Sequence, residues 1–180
     1  LDGAPSLRLF TISANGDNGY PGSVELAVTY TVTSDNRLVC ETEARSDCRT
    51  PVSLTHHSYF NLAGEAAGTT DDHEVVILSE VAFCTDEKMG LTGECRSVEG
   101  QANDARGARR MGDFVAGLWQ EHGDLYWLGE SDDVRLVARL RDPGSGRTME
   151  VVTDCSCIQF YGGKGLNGAV SYTHLTLPTN

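Results

Sequence analysis

The stretch "PVSLTHHSYFNLAG", Pro51 to Gly64, sets two adjacent histidines between an apolar-polar alternation and an aromatic pair. Imidazole is the side chain whose ordinary pKa lies nearest neutrality, so an oriented histidine gives and takes a proton without much tuning. His57, followed by Ser58, Tyr59 and Phe60, is therefore the candidate acid/base group. The plain alternative is one exposed histidine beside a hydrogen-bonded core histidine. Two other groupings hold donor atoms close together. "CSC", Cys155 to Cys157, puts two thiols on one face if the segment is a strand. It lacks the two-residue gap of a zinc knuckle, and no second Cys pair has that spacing, so no metal is expected there. Asp71, Asp72 and His73 offer further ligand atoms to His56 and His57, but their Gly/Thr/Asp surroundings read as a loop leading into a strand.

The elements that must position these groups are strands. "SVELAVTYTV" alternates Val24, Leu26, Val28, Tyr30 and Val32 against Glu25, Ala27, Thr29 and Thr31, the pattern of a half-buried strand. Turn residues flank it in "NGDNGYPG" and "TSDNR", and "LVCETEA" alternates in turn, so the two runs form an antiparallel hairpin. "VSLTHHSYFNL" and "HEVVILS" continue the strand-rich pattern. "VRLVARL" and "TMEVVTD" pair across "DPGSGR", a tight turn by composition. A short helix is expected only between Ala108 and Trp119. Many short strands joined by Gly/Asp/Ser turns, with no repeat and no linker, point to an all-β sandwich or barrel.

Composition narrows the partners. The 180 residues suffice for one domain with a sizeable core, and 39% hydrophobic against 22% charged residues is a globular balance. A net charge of −12 argues against a polyanion such as nucleic acid and favours a neutral or cationic small ligand. No apolar run approaches a membrane span, and "LDGAPSLRLF" does not read as a signal peptide, although the chain opens on Leu1 rather than Met. Six scattered cysteines show no disulfide-framework spacing, so reduced thiols and a cytoplasmic location are expected.

The strings "GDNGYPGSVELAVTYTV", "TPVSLTHHSYFNLAG" and "SGRTMEVVT", followed by "IQFY", occur here in one order. Together they resemble the aldose 1-epimerase family, also called galactose mutarotases, over a span from about Asp2 to about Gly168. The resemblance implies a large antiparallel β-sandwich, the mutarotase-like supersandwich, with a sugar site in a cleft on the concave sheet. It also implies a reaction. Exchanging the α and β anomers of a free hexose, galactose or glucose, requires a proton to leave the anomeric hydroxyl while another reaches the ring oxygen. The ring opens, the C1–C2 bond rotates, and closure reverses both transfers. No cofactor is needed.

By this resemblance His57 is the general acid that protonates the ring oxygen, and His56 stands where the family has Asn. Gln159 of "IQFY" matches a glutamine that hydrogen-bonds sugar hydroxyls. Asp124 in "EHGDLYWL" matches a substrate-binding aspartate if one residue is gapped before Leu128. Tyr59, Phe60, Tyr126 and Trp127 are candidates to stack on a sugar's apolar face. The family's base is a glutamate in an "LETQ" segment. These 180 residues contain no such segment, and Glu121, Glu130 and Glu150 lie outside any equivalent. The family's Asn-Arg pair and second active-site histidine are also absent. Residues 1–169 thus read as a partial domain, incomplete at both ends, and residues 170–180, "VSYTHLTLPTN" from Val170, as an adapter-like, non-native tail. Two other readings stand beside this one. A hexose-6-phosphate epimerase-like protein would need Arg106, Arg109 and Arg110 to receive phosphate; a non-catalytic carbohydrate-binding protein would use the same face. A monomer is favoured, with no membrane partner.

Overall fold

The computed structural model describes residues 3–65, 67–120 and 122–163. The chain divides into two compact units, one ending at Tyr59 and one beginning at Phe60. Among the described residues no helix is long and apolar enough to cross a membrane. The tail from Val170 lies outside the described residues.

The first unit is an antiparallel meander of β1 (Ser6–Ser13), β2 (Val24–Val32) and β3 (Leu38–Ser46), with β2 central. Register places Leu9 opposite Val28, Leu7 opposite Tyr30 and Val32 opposite Leu38, so Leu7, Leu9 and Leu38 share a face with the apolar alternation of β2. The other face holds the charges, with an Arg8–Glu43 ion pair at 3.1 Å, together with Phe10 and Ile12, both more than half exposed. The hairpin read from the sequence is present, but its burial differs from the expectation. Leu7, Leu9, Val32 and Leu38 remain more than half exposed, whereas Ala27 and Thr31 on the charged face are buried. Alternation selects a face; only a second layer packed on that face buries it. The β1–β2 connection closes at Gly22, whose φ of 85° and close approach to Cys48 and Ser46 leave no room for a Cβ.

The second unit is built from two four-stranded antiparallel sheets. One has the order β10 (Thr148–Thr153), β9 (Arg135–Arg141), β4 (Glu74–Ile77) and β7 (Arg109–Arg110). The other runs β11 (Cys157–Phe160), β8 (Asp124–Trp127), β5 (Val81–Thr85) and β6 (Leu91–Ser97). Val75, Ile77, Val137 and Ala138 from the first sheet join Ala82 and Tyr126 from the second in one core. The helix α1 (Met111–Ala116) adds Met111 and Phe114 to it, and the Phe114 ring stands 5.0 Å from that of Phe160. Asp142 caps the β9–β10 turn, accepting from the amides of Gly144 and Ser145 at 3.2 and 2.9 Å.

One element expectation fails. "VSLTHHSYFNL" alternates like a strand, yet the chain from Arg49 to Asn61 forms neither strand nor helix. Extended backbone becomes a strand only where a neighbouring edge takes its N–H and C=O groups, and none of the described strands pairs with it.

Candidate active site

His57 lies in the first unit, on the loop that leaves β3. Residues 51–60 are all exposed. The two histidines of the pair have different surroundings. His56 is tied back: its Nε2 lies 3.1 Å from the Ser58 hydroxyl, and its ring sits 5.8 Å from that of Tyr30 on β2. His57 has its ring 5.2 Å from Tyr59, tilted by 33°. An exposed imidazole beside an exposed aromatic ring is able to exchange protons with a ligand while the ring offers a surface for C–H groups.

Asp124 and Gln159 lie in the second unit, and the structure brings both to the turn before β8. Asp124 opens that strand opposite Phe160, and Gln159 pairs with Leu125 on the neighbouring strand. The Asp124 carboxylate is 1% exposed and accepts three hydrogen bonds. Its donors are Asn103 Nδ2 at 2.7 Å and the amides of Trp119 and Gln120 at 3.1 and 2.9 Å. In this arrangement the carboxylate braces the turn. Gln159 works from the other side, its Nε2 donating to the carbonyls of His122 and Gly123 at 3.1 and 3.3 Å. Gly123 has a φ of +88°, and a Cβ there would overlap the Phe160 carbonyl.

Asn103 escaped the sequence reading because "QAND" carries only the composition of a turn. It is fully buried and also accepts from the Tyr126 hydroxyl through its carbonyl at 3.0 Å. Burial, with Asp124 and Asp104 nearby, pushes that phenol well above its ordinary range. Tyr126 is thus a core residue, and Trp127 packs edge-on against Phe83 at 5.9 Å. Tyr59 and Phe60, at 40% and 44% exposure, are the surface members of the aromatic set.

The remaining candidates hold other partners. Arg106 and Arg109 line an open cleft of about 470 Å³ with Asp104, Gly107 and Ala108. Arg106, however, pairs with Asp104 at 2.8 Å and Glu99 at 3.6 Å, and Arg109 donates to the Asp104 carbonyl. Arg110 pairs with Asp72 at 2.9 Å and Asp113 at 3.5 Å. Arginines already compensated by carboxylates make a poor phosphate receptor, which removes the support for a sugar-phosphate substrate. Asp71 accepts from Thr69 while His73 is buried, so the "DDH" residues do not converge. Among the described residues no three His, Cys, Asp or Glu side chains group as metal ligands, and all six cysteines are free thiols.

Comparison with known proteins agrees with this architecture. A family profile described as aldose 1-epimerase matches residues 4–180. Galactose mutarotase from Mus musculus is 38% identical over 177 residues, covering 93% of this chain and 51% of that protein. Aldose 1-epimerase from Escherichia coli is 31% identical over 171 residues, 91% of this chain and 49% of its own length. Among solved structures, an aldose epimerase homologue from C. elegans superposes with a TM-score of 0.77 at 25% identity, over 89% of this chain and 49% of that one. Galactose 1-epimerase from Lactobacillus acidophilus gives 0.76 at 23% identity, over 93% and 50%. The chain spans about half the length of the relatives it matches.

Proposed function

The chain belongs to the aldose 1-epimerase family, and from that premise we propose that its full-length protein interconverts the α and β anomers of a free hexose, galactose or glucose. The observation that carries this reading is the pairing of family membership with an exposed His57 ring on the loop after β3. His57 gives its proton to the ring oxygen as the C1–O bond opens. A carboxylate supplied elsewhere in the full-length protein takes the anomeric hydroxyl proton. Rotation about C1–C2 and reclosure return both protons. Gln159 keeps the His122–Gly123 turn in place and offers its amide oxygen to a sugar hydroxyl. Asp124 contributes to sugar binding chiefly through the turn it braces, a direct contact requiring one of its three donors to yield.

The substrate is a small sugar and no cofactor takes part. Free thiols at all six cysteines support a reducing compartment, the cytoplasm. The net charge of −12 supports a partner list without nucleic acid, and a monomer is the working assembly.

Polarimetry on freshly dissolved α-galactose or α-glucose tests the reading. His57→Ala in the full-length protein is expected to lower kcat by roughly 10²-fold or more, the usual worth of a general acid. His56→Asn, which retains a polar side chain at the tied-back position, is expected to keep activity within a few-fold. A His57→Ala rate close to that of the parent would contradict the assignment. Retained sugar binding with no turnover in the parent would favour a non-catalytic carbohydrate-binding protein.

A further inference from the structure

Two motifs take no part in this acid/base scheme, "DDH" at Asp71–His73 and "SGR" at Ser145–Arg147, yet both reach one residue. The Leu62 amide donates to His73 Nε2 at 3.0 Å. The Leu62 carbonyl accepts from Arg147 Nη1 at 2.9 Å, with the Ser145 hydroxyl at 3.3 Å, and the same guanidinium extends to the Ala63 carbonyl at 3.4 Å. Leu62 is five positions after His57 in the chain. All the clamping residues belong to the second unit.

Both holders are themselves held. His73 is 2% exposed, its amide donates to Thr70 at 3.0 Å, and its carbonyl accepts from Met111 at 2.7 Å where α1 begins. Arg147 and Ser145 ride on the Asp142 turn, where the Asp142 amide donates to the Arg147 carbonyl at 2.9 Å. An imidazole nitrogen that accepts an N–H must be unprotonated, so His73 carries its proton on Nδ1. A buried histidine acting only as packing would not have to accept a main-chain hydrogen bond from a loop.

We propose that His73 and Arg147 form a main-chain clamp on Leu62 that fixes the outgoing end of the loop carrying His57, which makes His73 a positioning residue for the reaction. The incoming end is fixed in its own unit by the β3 ladder, which ends at Ser46, and by Asp47, whose carboxylate takes the Ser23 amide at 2.9 Å. A segment held at Leu62 samples fewer conformations beside the clamp, so the acid five positions before it spends more time at the reacting distance. Displacement of about 1 Å is enough to lose on the order of 10²-fold in rate. The catalytic half of this inference rests on the reading of His57 as the acid.

The test uses the full-length protein, hydrogen exchange at the Leu62 amide, ¹⁵N signals of the His73 ring, and kcat and KM by polarimetry. His73→Leu is expected to speed Leu62 exchange and to lower kcat by roughly 10- to 100-fold with a smaller change in KM. His73→Gln, whose amide oxygen reaches a similar place, is expected to restore both. Should His73→Leu fail to fold, Arg147→Gln on the exposed side of the clamp is expected to shift the same two readouts. Unchanged Leu62 exchange, or a His73 ring protonated on Nε2, would overturn the clamp. Faster exchange with unchanged kcat, while His57→Ala is inactive, would overturn the positioning role and leave His57 as the acid. Activity retained in His57→Ala would overturn the catalytic half, and Leu62 exchange would still decide the clamp by itself.

Discussion

Asp124 and Asp142 are both carboxylates that accept backbone amides, and they fail in different ways. With Asn103, Trp119 and Gln120 all donating to Asp124, Asp124→Asn must turn an NH₂ group toward at least one donor. A buried donor left without a partner costs about 1–3 kcal/mol, so the variant should unfold at lower temperature and, in the full-length protein, show a raised KM. An unchanged melting temperature would mean that the brace is dispensable. Asp142 is sensitive to pH instead. Hydrogen bonds from Ser145 and Gly144 hold its carboxyl below the ordinary range. A group with a depressed folded pKa stabilises above its unfolded value, near 4, and loses that contribution as pH falls through the folded value. The urea midpoint of the parent should therefore drop between pH 5 and about pH 2. In Asp142→Asn the drop should be smaller. It should not vanish, because Arg106 holds the Asp104 carboxyl low in the same way.

The turn between α1 and β8 depends on geometry more than on any single hydrogen bond. Gly123 combines a φ of +88° with a Cβ position that would overlap the Phe160 carbonyl, so Gly123→Ala meets both backbone strain and a clash. The β8–β11 pairing, four residues on each strand, would have to part to admit the methyl group. A loss of about 3 kcal/mol or more is expected, read from denaturant unfolding, together with displaced amide shifts for Leu125 and Gln159. Gly93, with φ of +82° and nothing within 4 Å of a built Cβ, provides the comparison: Gly93→Ala should cost only the backbone strain. Equal losses in the two variants would show that the Phe160 contact yields easily.

At the scale of the whole chain, charge and exposed apolar surface oppose one another. Leu7, Leu9, Val32 and Leu38 are between 52% and 58% exposed on one face of the first unit's sheet. A patch of that kind favours self-association, while a net charge of −12 resists it until salt screens the repulsion. These 180 residues expressed alone should associate as ionic strength rises, measured by sedimentation velocity. Leu9→Lys combined with Leu38→Lys should keep the chain monomeric. On the reading proposed above, the same preparation should not accelerate anomer exchange, because the "LETQ" glutamate that the family resemblance implies as base is not among these residues. Salt-independent monomers, or measurable turnover, would go against these expectations.

The β2–β3 and β9–β10 hairpins and β4 were legible in the sequence because alternation and turn chemistry are local properties, whereas the order of the strands in the sheets of the second unit was not. Val24–Val32, the β9–β10 hairpin and the single short helix all follow from neighbours in the chain. The motifs around His57 and Gln159 were legible for another reason, since their wording resembles that of the aldose 1-epimerase family, to which the chain belongs. Three matters depended on tertiary structure. "VSLTHHSYFNL" became a loop because a strand needs an edge to pair with, and no residue encodes its neighbour's edge. Asp124 became a brace rather than an open carboxylate because Asn103, 21 positions away, folds against it. His73, read as a loop residue or a possible ligand, became a buried acceptor for Leu62 because β4 and the loop after the histidine pair converge there. Each of these contacts joins segments distant in sequence, and burial and hydrogen-bond pairing over such distances are set only when the sheets pack.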